Sequence, residues 1–388
     1  MSLKATAKKA LVALTAVGVL SSLSACGLGG DNANSASSND SDTVNIGVLY
    51  PKTGQYAEYG KMFQQGLDLA VEKVNADGGV QGKKLGLKYY DTQSDPKQSA
   101  SVAPKIASDS SIVAVVGDYA SGSSMAASPT FQQAGLVHYG FNNSAADFTS
   151  TGDHVWTPQY SQDDFQAQTA DMVAESAKKI SVVYIENDWG KAAYYAFEKE
   201  AKAKGLDIVY SSSFLADSTD LSPILIPARD ANPDAIVHIG YGPDGALVVN
   251  TLRDKLGYTG PFYGGQITSE YISTSGENGE GTLLMAPFTA DSSNANAQRF
   301  VKDFRAKYNE DPGEFNETSY AAIIDLAYGM NKTSATRDGV QEALKTVKDF
   351  PCYVGTQTTF SFNQKTRRMK NTNFLKLELK DGKFQVIQ

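Results

Sequence analysis

From Thr43 onward the chain alternates short apolar runs with longer amphipathic ones. Val44–Tyr50 reads VNIGVLY, short and apolar enough for a buried strand. Over Tyr59–Asn75 the apolar residues Phe63, Leu67, Ala70 and Val74 recur at helical spacing, which predicts a helix that Gly78 and Gly79 stop. Leu85–Tyr90 predicts a second strand, Pro96–Ser108 a helix opened by proline, and Ile112–Val116 a strand of the buried type. The cycle resumes with strands at Ser181–Ile185, Ile208–Phe214 and Ala235–Ile239 and helices at Ala192–Lys204 and Leu221–Ala231. Short apolar strands separated by helices predict parallel sheets covered on both faces. Two such runs flank a Gln-, Asp- and Ser-rich stretch near Pro158–Asp164, which predicts an α/β protein of two Rossmann-like lobes. The last stretch, Gln357–Ile387, changes to short alternating strands, and no repeat of solenoid period is present.

The residues before Thr43 have a different character. Lys4, Lys8 and Lys9 precede the apolar run Ala10–Leu20. That run is shorter than the about 20 residues a membrane-spanning helix takes, and with its basic flank it fits a secretory signal. Leu23-Ser24-Ala25-Cys26, followed by Gly27, resembles the bacterial lipobox, in which the cysteine is diacylated and becomes the first mature residue. Residues 1–26 are therefore expected to be a lipoprotein signal peptide, with Cys26 the lipidated residue. Gly27–Asp42 is too rich in Ser, Asn, Asp and Gly to bury a core and is expected to be a flexible tether. No later segment is apolar enough to cross a membrane, so a lipid anchor is the one membrane contact expected.

Composition narrows the partners. The net charge is −8 and becomes more negative once the signal lysines are removed, which argues against nucleic acid or an anionic membrane surface. With Cys26 assigned to the anchor, Cys352 has no intrachain disulfide partner and is expected to be a buried, small apolar residue. The 388 residues leave room for two lobes after the signal is cut.

In open parallel sheets, ligands sit beyond the carboxyl ends of the strands. The segments that follow the strands here are rich in hydroxyls, amides, glycines and aromatics: Pro51–Gly60, Gly117–Ser124, Gly140–Ser144, Glu186–Gly190 and Gly240–Pro243. A hydroxyl-bearing loop that runs into a helix offers free N–H groups to a carboxylate. Each loop alone reads as ordinary helix capping; together they would converge on one cleft.

The chain resembles the leucine/isoleucine/valine-binding protein family, whose members have the type I periplasmic binding protein fold. The resemblance runs from about Val44 to the C-terminus. It is carried in order by Pro51-Lys52-Thr53-Gly54-Gln55-Tyr56-Ala57-Glu58-Tyr59-Gly60, Val74-Asn75-Ala76-Asp77-Gly78-Gly79-Val80-Gln81-Gly82-Lys83, Asp91 and Asp95-Pro96-Lys97-Gln98. Val116-Gly117 with Ser121, Asn142-Asn143-Ser144, Asp188-Trp189-Gly190 and Thr318-Ser319-Tyr320-Ala321-Ala322 continue it. The resemblance implies two lobes joined by three crossings, near Trp156–Tyr160, Ala286–Thr289 and Tyr353–Gly355. Lobe one would be 43–157 plus 288–354, and lobe two 158–287 plus 355–388.

It also implies roles. Ser121 would bind a ligand carboxylate through its hydroxyl, with the neighbouring N–H groups such as that of Gly122. Asn142, Asn143 and Ser144 would grip carboxylate and ammonium in a space that the two amides make narrower or more polar. Tyr59 and Trp189 would wall the cleft, Phe315 would touch the ligand side chain, and Tyr241 would add an aromatic from lobe two. One position departs from the family: Gln266 stands where amino-acid-binding members carry a glutamate that pairs with the ligand ammonium. Asp118 or Glu270 is then the candidate to supply that charge; the other reading is a ligand without an ammonium.

The function implied is that of an extracytoplasmic solute-binding protein of an ABC importer, lipid-anchored at the outer face of the cell membrane. It would be a monomer that holds a small polar ligand, an amino acid of branched-chain or other neutral type, and delivers it to permease subunits. A sensory lipoprotein, or a receptor for an amide, urea or small carboxylate, is the alternative. No cofactor, metal or catalysis is expected. Ser94-Asp95-Pro96-Lys97 and Ser176-Ala177-Lys178-Lys179 match S-x-x-K without S-D-N or K-T-G partners. His138, His154 and His238 lack metal-ligand spacing, and His138 and His238 are expected in the core or at the cleft edge.

Overall fold

The computed structural model describes residues 42–355, 357–370 and 374–387. The signal segment, Cys26 and the tether up to residue 41 lie outside the described residues. The first run is β1 (Thr43–Tyr50), α1 (Ala57–Ala76), β2 (Lys84–Asp91), α2 (Pro96–Ser108), β3 (Ile112–Val116), α3 (Ser121–Gln133), β4 (Val137–Tyr139) and β5 (Val155–Trp156). Its strands form a parallel sheet in the order β2-β1-β3-β4-β5. β1 is buried from Val44 to Tyr50 and β3 throughout, as strands covered on both faces must be. Helix α2 starts where Asp95 accepts hydrogen bonds from the N–H groups of Lys97 and Gln98, with Pro96 in the first turn.

The second run is α4 (Gln162–Ala174), β6 (Lys179–Ile185), α5 (Asp188–Ala203), β7 (Asp207–Phe214), α6 (Ser222–Asp230), β8 (Ala235–Ile239), α7 (Gly242–Asn250), β9 (Phe262–Tyr263), α8 (Ser269–Ser275) and β10 (Thr282–Ala286). The parallel part of its sheet runs β7-β6-β8-β9-β10, the same order as in the first lobe. The chain then returns to the first lobe with α9 (Ala295–Tyr308), α10 (Glu314–Lys332) and α11 (Arg337–Thr346). Helix α10 lies along α1, where a Cβ at Gly66 would collide with the Asn316 carbonyl and the Ser319 hydroxyl. Helix α11 packs by β3 and β4. β11 (Phe350–Pro351) and β12 (Thr359–Phe360) pair antiparallel. β13 (Leu375–Lys380) pairs antiparallel with β10, and β14 (Lys383–Val386) pairs antiparallel with β13 at the far edge of the second sheet.

The third crossing lies later than Tyr353–Gly355. Phe360 and Phe362 pack on Phe350, and Phe362 also on Trp156 and Tyr139 of the first lobe. The Arg367 guanidinium donates to the carbonyls of Val155 and Thr149, and the buried Arg368 to those of Asn143, Ala145 and Tyr160. Residues 357–369 thus belong with the first lobe, because a buried guanidinium needs fixed acceptors and finds them there. At Phe374 the chain has reached Gln168 and Phe165 of the second lobe. Cys352 is buried and free. Among the described residues no helix is long and apolar enough to cross a membrane.

In the order 2-1-3-4-5, loops after the first and third strands diverge at a switch point and leave a crevice where ligands bind. The first lobe's crevice lies after β1 and β3, the second's after β6 and β8. The two crevices face each other.

Candidate ligand-binding site

A cavity of about 140 Å³ lies between the lobes. An engineered cavity of about 150 Å³ takes benzene, so this one suits a small molecule rather than a peptide. Of the candidate ligand-binding residues, Ser121, Asn142, Ser144, Trp189, Tyr241, Gln266 and Phe315 line it. Tyr119 and Ala120, after β3, lead into α3, whose first turn has no side-chain cap. Those N–H groups and the Ser121 hydroxyl form an end suited to an anion.

Three expected residues do not line the cavity. Tyr59 is fully buried and stacks on Tyr119, ring centroids 4.3 Å apart. Its hydroxyl donates to Gln266 Oε1 at 2.5 Å and accepts from the Gly242 N–H at 3.1 Å, so it is a strut between lobes rather than a wall. Asn143 is fully buried and its amide donates to Ser124 Oγ and to the Asp118 carbonyl, bracing two loops of the first lobe. Gly122 is displaced from the cavity wall by the turn of α3; a Cβ there would meet nothing within 4 Å.

Neither substitute for the family glutamate faces the cavity. Asp118 is fully buried and turned into its own lobe, where it accepts from the hydroxyls of Thr92, Ser94, Ser99 and Ser123 and from the Tyr119 N–H. Burial raises its pKa despite these bonds. Glu270 lies at the start of α8, where its N–H donates to Glu58 Oε1 at 3.2 Å. Its hydrogen bond with the Glu58 carboxyl, helped by burial and by the Glu58 charge, raises its pKa to about 7.

The chemistry of Gln266 is fixed by its neighbours. The Gly242 N–H donates to Gln266 Oε1 at 3.0 Å. A backbone N–H can only donate, so the carbonyl oxygen of Gln266 must face Gly242 and the amide nitrogen is turned away. Gln266 therefore offers a ligand a donor, which suits a carbonyl or carboxylate and not an ammonium. The preceding glycines allow the turn: Gly265 has φ +72°, and a Cβ there would strike the Tyr271 ring.

The cavity is also lined by residues outside the expected ligand-binding set. Glu314, the first residue of α10, is the one carboxylate lining the cavity among the described residues, and no lysine or arginine lines it. The Tyr160 hydroxyl donates to Glu314 Oε1 at 3.3 Å. Burial raises the Glu314 pKa to about 7, opposed by the hydrogen bonds of Tyr160 and Gln159. Its place beside Phe315 at a helix start was the available signal. Tyr119, Gln162, Gln166 and His238 also line the cavity, and each has a buried polar atom without a partner: Tyr119 Oη, Gln162 Nε2, Gln166 Oε1 and His238 Nδ1. His238 Nε2 is held 3.0 Å from Asp244 Oδ2. Ser144 ties the lobes together, donating to Gln162 Oε1 at 2.8 Å and accepting from Trp189 Nε1 at 3.1 Å. Trp189 in turn stacks on Tyr241, centroids 5.1 Å apart.

The comparisons with known proteins agree with this architecture. The Leu/Ile/Val-binding protein homolog 3 of Brucella melitensis is 29% identical over 81% of this chain and 86% of its own length. The leucine-, isoleucine-, valine-, threonine-, and alanine-binding protein of Pseudomonas aeruginosa is 28% identical over 78% of this chain and 82% of its own. The branched-chain amino acid transporter substrate binding protein LivJ of Streptococcus pneumoniae, solved in complex with isoleucine, superposes with a TM-score of 0.81 at 26% identity. That match covers 89% of this chain and 98% of LivJ. The family model of periplasmic binding proteins matches residues 43–383, and the chain belongs to that family.

Proposed function

We propose that the protein is the amino-acid receptor of an ABC importer, anchored through Cys26 on the outer face of the cell membrane, and that it hands its ligand unchanged to permease subunits. The observation that supports an amino acid is the pairing of an uncapped helix start, at Ala120–Ser121, with a single carboxylate, Glu314, in a cavity that no described lysine or arginine lines. The two ends complement the carboxylate and the ammonium of a zwitterion. Ser121 Oγ and the first N–H groups of α3 take the carboxylate; Glu314 takes the ammonium in place of a glutamate at Gln266. An ammonium buried without a countercharge would cost several kcal/mol, so Glu314 is what makes the amino acid admissible.

Calorimetry of the purified protein against the common amino acids tests this reading. At least one neutral amino acid should bind. Glu314→Gln should weaken it by about 2–5 kcal/mol, the usual loss when one member of a buried charge pair is truncated. Binding that is indifferent to Glu314→Gln would remove the ammonium assignment.

A further inference from the structure

Helix α4 carries two glutamines, Gln162 and Gln166, one turn apart on the face that lines the cavity. They are 2% and 3% exposed. Yet Gln162 Nε2, a donor, and Gln166 Oε1, an acceptor, have no partner. Buried amide atoms are almost always hydrogen-bonded, and two orphans side by side on one cavity wall need an occupant. Phe165, Met172 and Leu283 on that wall are apolar and cannot serve them, and the Thr169 hydroxyl donates instead to the Phe165 carbonyl. Gln162 is also held in place, because its oxygen accepts from Ser144 and its N–H donates to the Ser144 carbonyl.

We propose that Gln162 and Gln166 form a subsite for a carboxamide, so that the ligand is an amide-bearing amino acid of the asparagine or glutamine kind. This rests on the amino-acid reading above and specifies the side chain. A carboxamide presents a carbonyl to Gln162 Nε2 and an N–H to Gln166 Oε1, so both orphans are satisfied by one planar group. A branched apolar side chain leaves both unpaired. A site built to hydrogen-bond a ligand group discriminates against the analogue that lacks it for that reason.

The test is calorimetry with three probes, glutamine or asparagine, leucine, and propionamide, on the wild-type protein and on Gln166→Met. The wild-type protein should bind an amide amino acid at least about thirtyfold more tightly than leucine, the lower range expected for two unpaired buried groups. In Gln166→Met that ratio should fall by about fivefold or more, because only the Gln162 pairing remains. Leucine binding wild-type protein as well as the amides do, or a ratio unchanged in Gln166→Met, overturns the subsite and leaves the amino-acid reading intact. Propionamide binding that Gln166→Met weakens, with no amino acid bound, keeps the subsite and overturns the amino-acid reading. Binding of none of the probes overturns both. The wild-type comparison decides the matter even if the variant fails to fold.

Discussion

Glu314 is a residue whose titration reports its role. Burial raises its pKa from 4.5 to about 7, so in the ligand-free protein it holds a proton below that pH. The native state then binds a proton that the unfolded chain has lost, and this group's contribution to stability falls as pH rises from 4.5 toward 7. A ligand ammonium favours the ionised form and reverses the shift. Binding near pH 6 should expel about one proton per ligand, and affinity should rise with pH until it levels above about 7. Calorimetry in buffers of differing ionisation enthalpy reads the proton directly. It should be done in the Glu270→Gln background, which silences the other carboxyl titrating near 7, and the release should vanish on adding Glu314→Gln. Proton uptake, or none, would place the ammonium elsewhere. Of the seven expected residues that line the cavity, six follow strands, where the fold rule points, and Phe315 stands at the start of α10. Tyr59 and Asn143 carry the same chemistry but face a neighbour instead, which residue type alone does not reveal.

Among the elements, α1 and α8 meet across the cleft. Glu58 near the start of α1 accepts from the Ser269 hydroxyl at 3.0 Å and from the Glu270 N–H at 3.2 Å, both at the start of α8. The adjoining Glu270 carboxyl is raised to about 7, first by its hydrogen bond with Glu58. Two carboxyls share this contact readily only while one is protonated. The sign follows: the contact retains a proton that separated lobes would release, so closure is favoured below about pH 7 and weakens above it. Small-angle scattering of ligand-free protein should show a radius of gyration that grows between about pH 6 and 8, and Glu270→Gln should flatten the profile. A wild-type profile already flat would mean that the pair does not bias closure. Element boundaries were well marked where local chemistry marks them. α2 begins at Pro96 behind its Asp95 cap, as expected. α5 begins at Asp188, four residues before the expected Ala192, because Asn187 caps it by accepting from the Gly190 N–H at 2.7 Å. α9, α10 and α11 were not assigned from the sequence. α10 is buried along most of its length, and its apolar pattern lacks the one-sided stripe that marks a surface helix.

For the whole molecule, the lipid anchor proposed at Cys26 would decide where the cleft works. Cys26 lies outside the described residues, and its role rests on the lipobox resemblance. In cells, Cys26→Ser should end incorporation of labelled fatty acid and leave the protein in the medium or as unprocessed precursor. Undiminished labelling of the variant would refute the anchor. The two lobes share one strand order, and their switch points face each other, so a single cavity draws on both.

The sequence by itself determined the alternation of strand and helix, hence two parallel sheets, because period and run length are local properties of the chain. It also determined which loops sit at the strand ends. Tertiary structure alone decided which groups face the ligand. The Gly242 N–H, from another loop, turns the carbonyl of Gln266 away. The return of α10 to the first lobe brings Glu314 to the cavity from far along the chain. Arg368 carries the chain's last crossing past the expected hinge by binding three carbonyls that the sequence keeps more than two hundred residues away. Charge and hydrogen-bond direction depend on partners, and partners are set by packing between segments that are distant in sequence.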